Sequence, residues 1–229
     1  MSAWWLDSLD QMYHQLKTNG TPQQMQFLDD HLQSRQQALQ LGDELGSLLS
    51  SISGNTQEDQ LRTALALIKV KLAPVVVMSH RFSGDNHGDS LLQTETAETL
   101  EALDALALYW QLVQEYGLAD SMLYATINVF GRTPRRNRDG GRNHAGYATN
   151  GFIHGTHLKG GMVGGLESRR NDDVQATSIN SNTGGIENPD IASEATLASF
   201  AKTIMAASGV TESRVNRRVP DGKIVSSIF

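Results

Sequence analysis

Residues 73–80 read APVVVMSH, and the expectation of an α/β fold starts from this stretch. It is short, β-branched and bounded by Pro74, which is how a strand buried in a parallel sheet reads. Working outward, residues 90–117 form a long amphipathic helix stopped by Gly117. Residues 121–130, SMLYATINVF, read as a second buried strand. NGFIHG at 150–155 supplies a third strand and MVGGL at 162–166 a short fourth. Residues 168–191 read as a polar loop, and residues 193–208 as a last helix with Ser193 as its cap. The tail holds a turn at 220–222. Strand, helix, strand, then more strand and helix is an α/β order.

Upstream of this core the chain is helical. Trp4, Leu6, Leu9, Met12, Tyr13 and Leu16 recur at helical spacing. NGTPQQ at 19–24 interrupts them, with Thr21 placed to cap the next helix and Pro22 at its first position. Residues 22–52 run long and Gln-rich, and Gly42 and Gly46 argue against one unbroken helix there. A third helix is expected at about 57–72. The expected organisation is therefore a helical region, 1–72, packing on the sheet of an α/β core, 73–229, as one domain overall.

The chain's 229 residues suffice for a substantial core. Its formal charge of −6 argues against nucleic acid as a partner, since that needs a basic face. The absence of cysteine excludes disulfides, thiolate metal sites and a cysteine nucleophile. No run approaches the roughly 18 apolar residues of a membrane span. The opening MSAWWLDSLDQMYHQL has acids where an export signal needs a basic and then an apolar segment, so no signal peptide is expected in this chain.

Ligands in α/β sheets gather where strands end at their carboxyl edge. The first polar cluster at such an end is HRFSGDNHGD, 80–89, where Asp85 and His87 stand two apart beside glycines. A carboxylate and a neutral imidazole in a stiff frame suit a divalent metal. The alternative is an Asp–His hydrogen bond that shapes a turn. The second cluster is VFGRTPRRNRDGGRNHAG, 129–146, dense in arginine and glycine. His144 follows its Gly140–Gly141 turn, and His154 and His157 lie just beyond. Two histidines and one carboxylate could hold a divalent cation with open positions. His154 and His157 taken singly read as solvent-exposed loop residues. Arg132, Arg135, Arg136 and Arg138 could clamp phosphate or sulfate, or pair with Asp139 and neighbouring acids. There is no nucleophile elbow, phosphate-binding loop or dinucleotide fingerprint.

These motifs also carry a resemblance. GDNH at 84–87, NVFGRTPRRN at 128–137, and RNHAG followed by HLKGGMVGG resemble, in order and spacing, G-x-D-T-H, S-E-F-G-R-T-P-R-E-N, and T-D-H-G followed by V-K-G-G-x-V-x-G. Those patterns belong to the bacterial family called domain of unknown function 1501, which is similar to the alkaline phosphatase and sulfatase superfamily. The resemblance covers roughly residues 57–210. It implies an alkaline-phosphatase-like fold, mainly a parallel sheet between helices, incomplete here at its N-terminal strand. It also implies two metal ions at strand ends and an exported protein. Carried over residue by residue, Asp85, His87 and His144 resemble the ligands of one metal, taken as zinc, manganese or calcium. Arg132 and Arg135 would face an anionic small molecule.

The second metal site departs from the pattern. Val129 stands where the family has an acid, and Asn143 where it has an aspartate. No residue before Ala73 reads as the nucleophile-bearing strand, so no catalytic residue is assigned. The expected function is a degenerate or partial superfamily member with a metal half-site and little or no hydrolysis alone. The alternatives are a non-catalytic binding or structural protein on the same scaffold, and a fragment of a longer metal-dependent ester hydrolase. A lost strand would expose a sheet edge for a partner chain or an oligomer to cover.

Overall fold

The computed structural model describes residues 3–50, 52–79, 85–128, 131–146, 149–170 and 173–229. They fall into two compact units, Met1–Val77 and Met78–Phe229. The first is helical, with α1 (Ala3–Asn19), α2 (Pro22–Leu49) and α3 (Gln57–Lys69). Thr21 opens α2 as expected. Its hydroxyl accepts from the Gln24 N–H, and the Gln24 side chain accepts from the Thr21 N–H at 2.9 Å. Thr56 and Asp59 repeat that reciprocal cap on α3. The bonds from Thr56 hold the Asp59 carboxyl below its ordinary range.

Cross-links join α1 and α2 as an antiparallel hairpin. Tyr13 bonds His31 at 2.6 Å, Lys17 pairs with Asp29, and Asp10 pairs with Arg35 at 2.7 Å. Falling numbers on one helix meet rising numbers on the other, which only antiparallel neighbours do. Contrary to the reading of Gly42 and Gly46, α2 runs unbroken through both. A Cβ at either position would meet nothing within 4 Å. The two glycines weaken the helix without ending it, because the residues around them still carry the hydrogen-bond ladder. Gly42→Ala and Gly46→Ala should therefore each raise stability by about 0.5–1 kcal/mol. Chemical denaturation checks this, and a loss of stability would contradict it.

Among its described residues the second unit holds α4 (Gln93–Glu115), six short strands, α5 (Thr196–Ala207) and α6 (Glu212–Arg218). The strands are β1 (Tyr124–Thr126), β2 (Gly131–Arg136), β3 (Arg142–Ala145), β4 (Phe152–His154), β5 (Leu166–Arg169) and β6 (Asp173–Ala176). They form three antiparallel pairs, β1 with β4, β2 with β3 and β5 with β6. The expected parallel sheet is not there among the described residues. Chain length between strands gives the reason for two of the pairs. Residues 137–141 join β2 to β3 and residues 170–172 join β5 to β6. A parallel pair needs a crossover of about a dozen residues, whereas these lengths permit only hairpins.

The strand expected at 73–80 is also corrected. Residues 73–79 form no ladder, Val75 is 76% exposed and Val77 90% exposed. His80 lies outside the described residues. β-Branched composition fits a pleated surface, but a strand exists only where a second backbone takes its hydrogen bonds. The run also spans the boundary between the two units.

Other expectations fare better. Gly117 ends α4 in the left-handed region at φ +67°, and the Leu118 N–H reaches back to the Val113 carbonyl at 2.9 Å. That is a Schellman stop, with Leu118 buried behind it. The NGFIHG strand is present as β4, and of MVGGL only Leu166 enters a strand. Ser193 caps no helix by its side chain. It starts a 3-10 turn, Ser193–Ala195, whose first carbonyl accepts from the Thr196 hydroxyl at 2.7 Å. Aromatic rings tie α4 to the β1–β4 pair. Tyr109 lies 4.5 Å from Tyr124 and Trp110 4.3 Å from His154, centroid to centroid. Burial there pushes the Tyr109 hydroxyl up to about 12.

The stretch read as a polar loop, 168–191, is far from structureless. It holds most of the β5–β6 hairpin and then a turn closed by a bridge between Ile179 and Ile191. The Asn180 carboxamide oxygen accepts from the Asn182 and Thr183 N–H groups. Asp190 accepts from the Ser181 N–H at 2.7 Å, the Ser181 hydroxyl at 2.8 Å and the Lys223 ammonium at 2.8 Å. Led by Lys223, these bonds hold the Asp190 carboxyl well below the usual carboxylate range. A depressed folded value gives stability that is full above the unfolded pKa of about 4 and is lost as pH falls below it. Acid titration should loosen wild type below about pH 4 more steeply than Asp190→Asn. Identical acid profiles for the two would contradict this.

Candidate functional site

The site begins with a turn and a bulge. Residues 137–140 make a β-turn closed by the Gly140 N–H to the Asn137 carbonyl at 3.1 Å, and Gly140 sits at φ +84°. A turn followed by a left-handed glycine is the usual geometry of a bulged hairpin. On the β2 side, Arg132 faces His144 and Arg136 faces Arg142, so residues 133–135 stand opposite Asn143 alone. Pro134 has no N–H for a ladder, and a bulge is one of the few strand positions that tolerates it. The Thr133 hydroxyl substitutes for the missing ladder bonds. It donates to the Arg135 carbonyl at 2.9 Å and accepts from the Asn143 N–H at 3.1 Å. The residue pair Thr133–Pro134 is thus what bends the arginine-rich strand.

The loop 85–92 lies directly against this hairpin. The Arg142 N–H bonds the Asn86 carbonyl at 3.3 Å. A Cβ on Gly141 would stand 2.1 Å from that same carbonyl oxygen and 2.3 Å from the His87 oxygen, so only glycine permits the approach. Asp89 anchors the loop to α4. Its carboxylate accepts from the Gln93 and Glu95 N–H groups, both at 2.9 Å, while Leu92 takes a left-handed conformation at φ 55°. Glu95 returns the favour from the first turn of α4, accepting from buried Asn86 and pairing with Arg142 at 3.1 Å. The Arg136 guanidinium donates to the Ser90 carbonyl at 3.2 Å. Two arginines of the rich stretch thus serve as clamps between hairpin and loop.

This frame brings Asp85, His87 and His144 together. One ligand atom from each lies within 4.8 Å of the other two. One of these separations, His87 Nε2 to Asp85 Oδ1, is 3.4 Å. Two donors on one tetrahedral zinc with bonds of about 2.0–2.1 Å stand about 3.3 Å apart. That pair already has the spacing of one edge, and closing the other two sides, each no longer than 4.8 Å, requires a shift of at most about 1.5 Å. The donor set of two imidazoles and one carboxylate fits a borderline divalent ion and leaves coordination positions open. Asp85 is 75% exposed at its side chain, so an ion reaches it from solvent.

The remaining assigned residues divide. Arg132 is 16% exposed at its side chain and stands 3.7 Å from Asp85 Oδ1. Arg135 is exposed three positions along the same strand. His154 packs edge-on against Trp110, and His157 bonds the Ala207 carbonyl at 3.0 Å, so neither joins the cluster. Val129 lies outside the described residues. Asn143 Oδ1 sits 3.2 Å from His87 Nδ1. The sequence reading gave no role to Asn137, Glu95 or Arg142. Asn137 fell inside a quoted motif, but a supporting amide has no spacing rule by which to find it.

Bulged hairpin, capped loop and three convergent donors define a candidate mononuclear cation centre in a mixed α/β chain. The profile of the family described as Protein of unknown function (DUF1501) matches residues 7–183, and the chain belongs to that family. Neither a curated protein nor a solved structure matches it. Among the described residues no helix is long and apolar enough to cross a membrane.

Proposed function

We propose that this chain binds one divalent cation through Asp85, His87 and His144 and presents it, with Arg132, to a phosphate or sulfate ester. The observation that carries this is the convergence of three donors from two separate segments, held by a frame of backbone and buried polar contacts. A cation bound there would supply Lewis acidity and neutralise charge on an ester oxygen. Arg132 adds a fixed positive charge beside Asp85, and Arg135 offers a second guanidinium at the rim. Motif order is what supports a relation to alkaline phosphatases and sulfatases, and cation binding at these three donors needs no parallel sheet.

We expect little or no ester hydrolysis from this chain alone. A second metal would need acids where Val129 and Asn143 stand. The Asn143 amide oxygen is taken up by His87 and Asn137, which favours binding without turnover over a working two-metal hydrolase. The test is thermal denaturation of the zinc-loaded chain with phosphate and with sulfate. A ligand at 100 times its Kd stabilises the native state by about 2.7 kcal/mol, an easily read rise in Tm. Wild type should show that rise, and Arg132→Gln should lose it. An unchanged Tm for wild type with both anions would sink the anion reading, and p-nitrophenyl ester turnover well above background would contradict the binding-only one.

A further inference from the structure

We infer that Asn137 and Asn143 fix the tautomer of His87, holding its proton on Nδ1 and its lone pair on Nε2. The inference deepens the metal reading and rests on it for its functional meaning, whereas the proton on His87 follows from hydrogen bonds that start at two backbone groups of fixed polarity. The Asp139 N–H can only donate, and it meets Asn137 Oδ1 at 2.9 Å. The His87 backbone carbonyl can only accept, and it meets Asn137 Nδ2 at 2.9 Å. Those two contacts pin the Asn137 amide in one orientation.

The second proton of that amide points to Asn143 Oδ1 at 3.3 Å. A flipped Asn143 would set two NH2 groups against each other, so its oxygen must face Asn137. The same oxygen lies 3.2 Å from His87 Nδ1. An oxygen cannot donate, so Nδ1 carries the proton. In the neutral ring Nε2 then bears a lone pair, and it faces Asp85 Oδ1 at 3.4 Å. That contact is satisfied either by a second proton on the ring, paired with Asp85, or by a cation between the two atoms, and Nε2 is the atom open to both. The residue that departs from the family's aspartate is therefore a positioning residue, orienting a ligand as carboxylates and carbonyls do behind metal-bound histidines.

Long-range proton–nitrogen correlation spectra of the metal-free chain report the tautomer directly. Wild type should show the Nδ1–H form of neutral His87. Asn143→Leu removes the acceptor and should release the ring to a mixture, with zinc binding about 10- to 100-fold weaker. Asn143→Asp restores an acceptor and should restore the Nδ1–H form. An Nε2–H ring in wild type overturns the inference, and so does an unchanged Nδ1–H ring in folded Asn143→Leu. If Asn143→Leu fails to fold, the spectra of wild type and Asn143→Asp decide it. Because the spectra need no metal, an Nδ1–H ring in a chain that binds no zinc upholds the tautomer and rejects only the metal reading.

Discussion

Zinc should bind the wild-type chain with a stoichiometry of one, and Asp85→Ala, His87→Ala and His144→Ala should each weaken it by about 100-fold or more. Removing a supporting residue behind a metal ligand costs about 10- to 100-fold, and removing the ligand itself costs at least as much. The three donors are few, so no neighbour can replace a lost one among the described residues grouped there. His154→Ala and His157→Ala are the matched controls. Their rings belong to Trp110 and to the Ala207 carbonyl, and zinc affinity should not change. Calorimetric titration checks all five variants. Equal losses in the controls would mean scattered surface binding, not a site.

Gly141→Ala should have the largest effect on the frame. The added carbon would fall 2.1 Å and 2.3 Å from two backbone oxygens, and backbone cannot swing aside as a side chain tip can. The hairpin must separate from the loop 85–92, breaking the Arg142-to-Asn86 bond and exposing the Glu95 contacts behind it. We expect a cost of about 3 kcal/mol, a fall in Tm of about 6–12 °C for a chain of this size. Zinc affinity should fall with it, because the same separation carries His87 away from His144. Gly88→Ala is the control, since a Cβ there meets nothing within 4 Å. A Gly141→Ala protein as stable as wild type would show that loop and hairpin do not touch as described.

Much of the site was legible in the chain. GDNH and FGRTPRRN stood out because charged residues, glycines and histidines clustered there against ordinary surroundings, and the folded chain brings Asp85, His87 and His144 together. Local signals with a local cause also held, such as the Thr21 cap and the Gly117 stop. The strands were harder. Val75 and Val77 have strand chemistry, yet they lie exposed, because pairing depends on a distant backbone that side-chain preference cannot supply. Parallel pairing was inferred from element order, yet the expected strands at 121–130 and 150–155 meet antiparallel as β1 and β4, and β2, β3 and β6 were not expected as strands at all. The supporting roles of Asn137 and Asn143 were not legible for a different reason. An amide's role is set by which neighbours donate and which accept, and those neighbours come from another segment.

The central claim is that two imidazoles and one carboxylate share a single cation. Zinc-edge X-ray absorption on the chain loaded with one equivalent tests it most directly. The account predicts two imidazoles per zinc at about 2.0–2.1 Å with the remaining positions filled by oxygen, falling to one imidazole in His144→Ala. A zinc environment of oxygen alone, or one unchanged in His144→Ala, would contradict it.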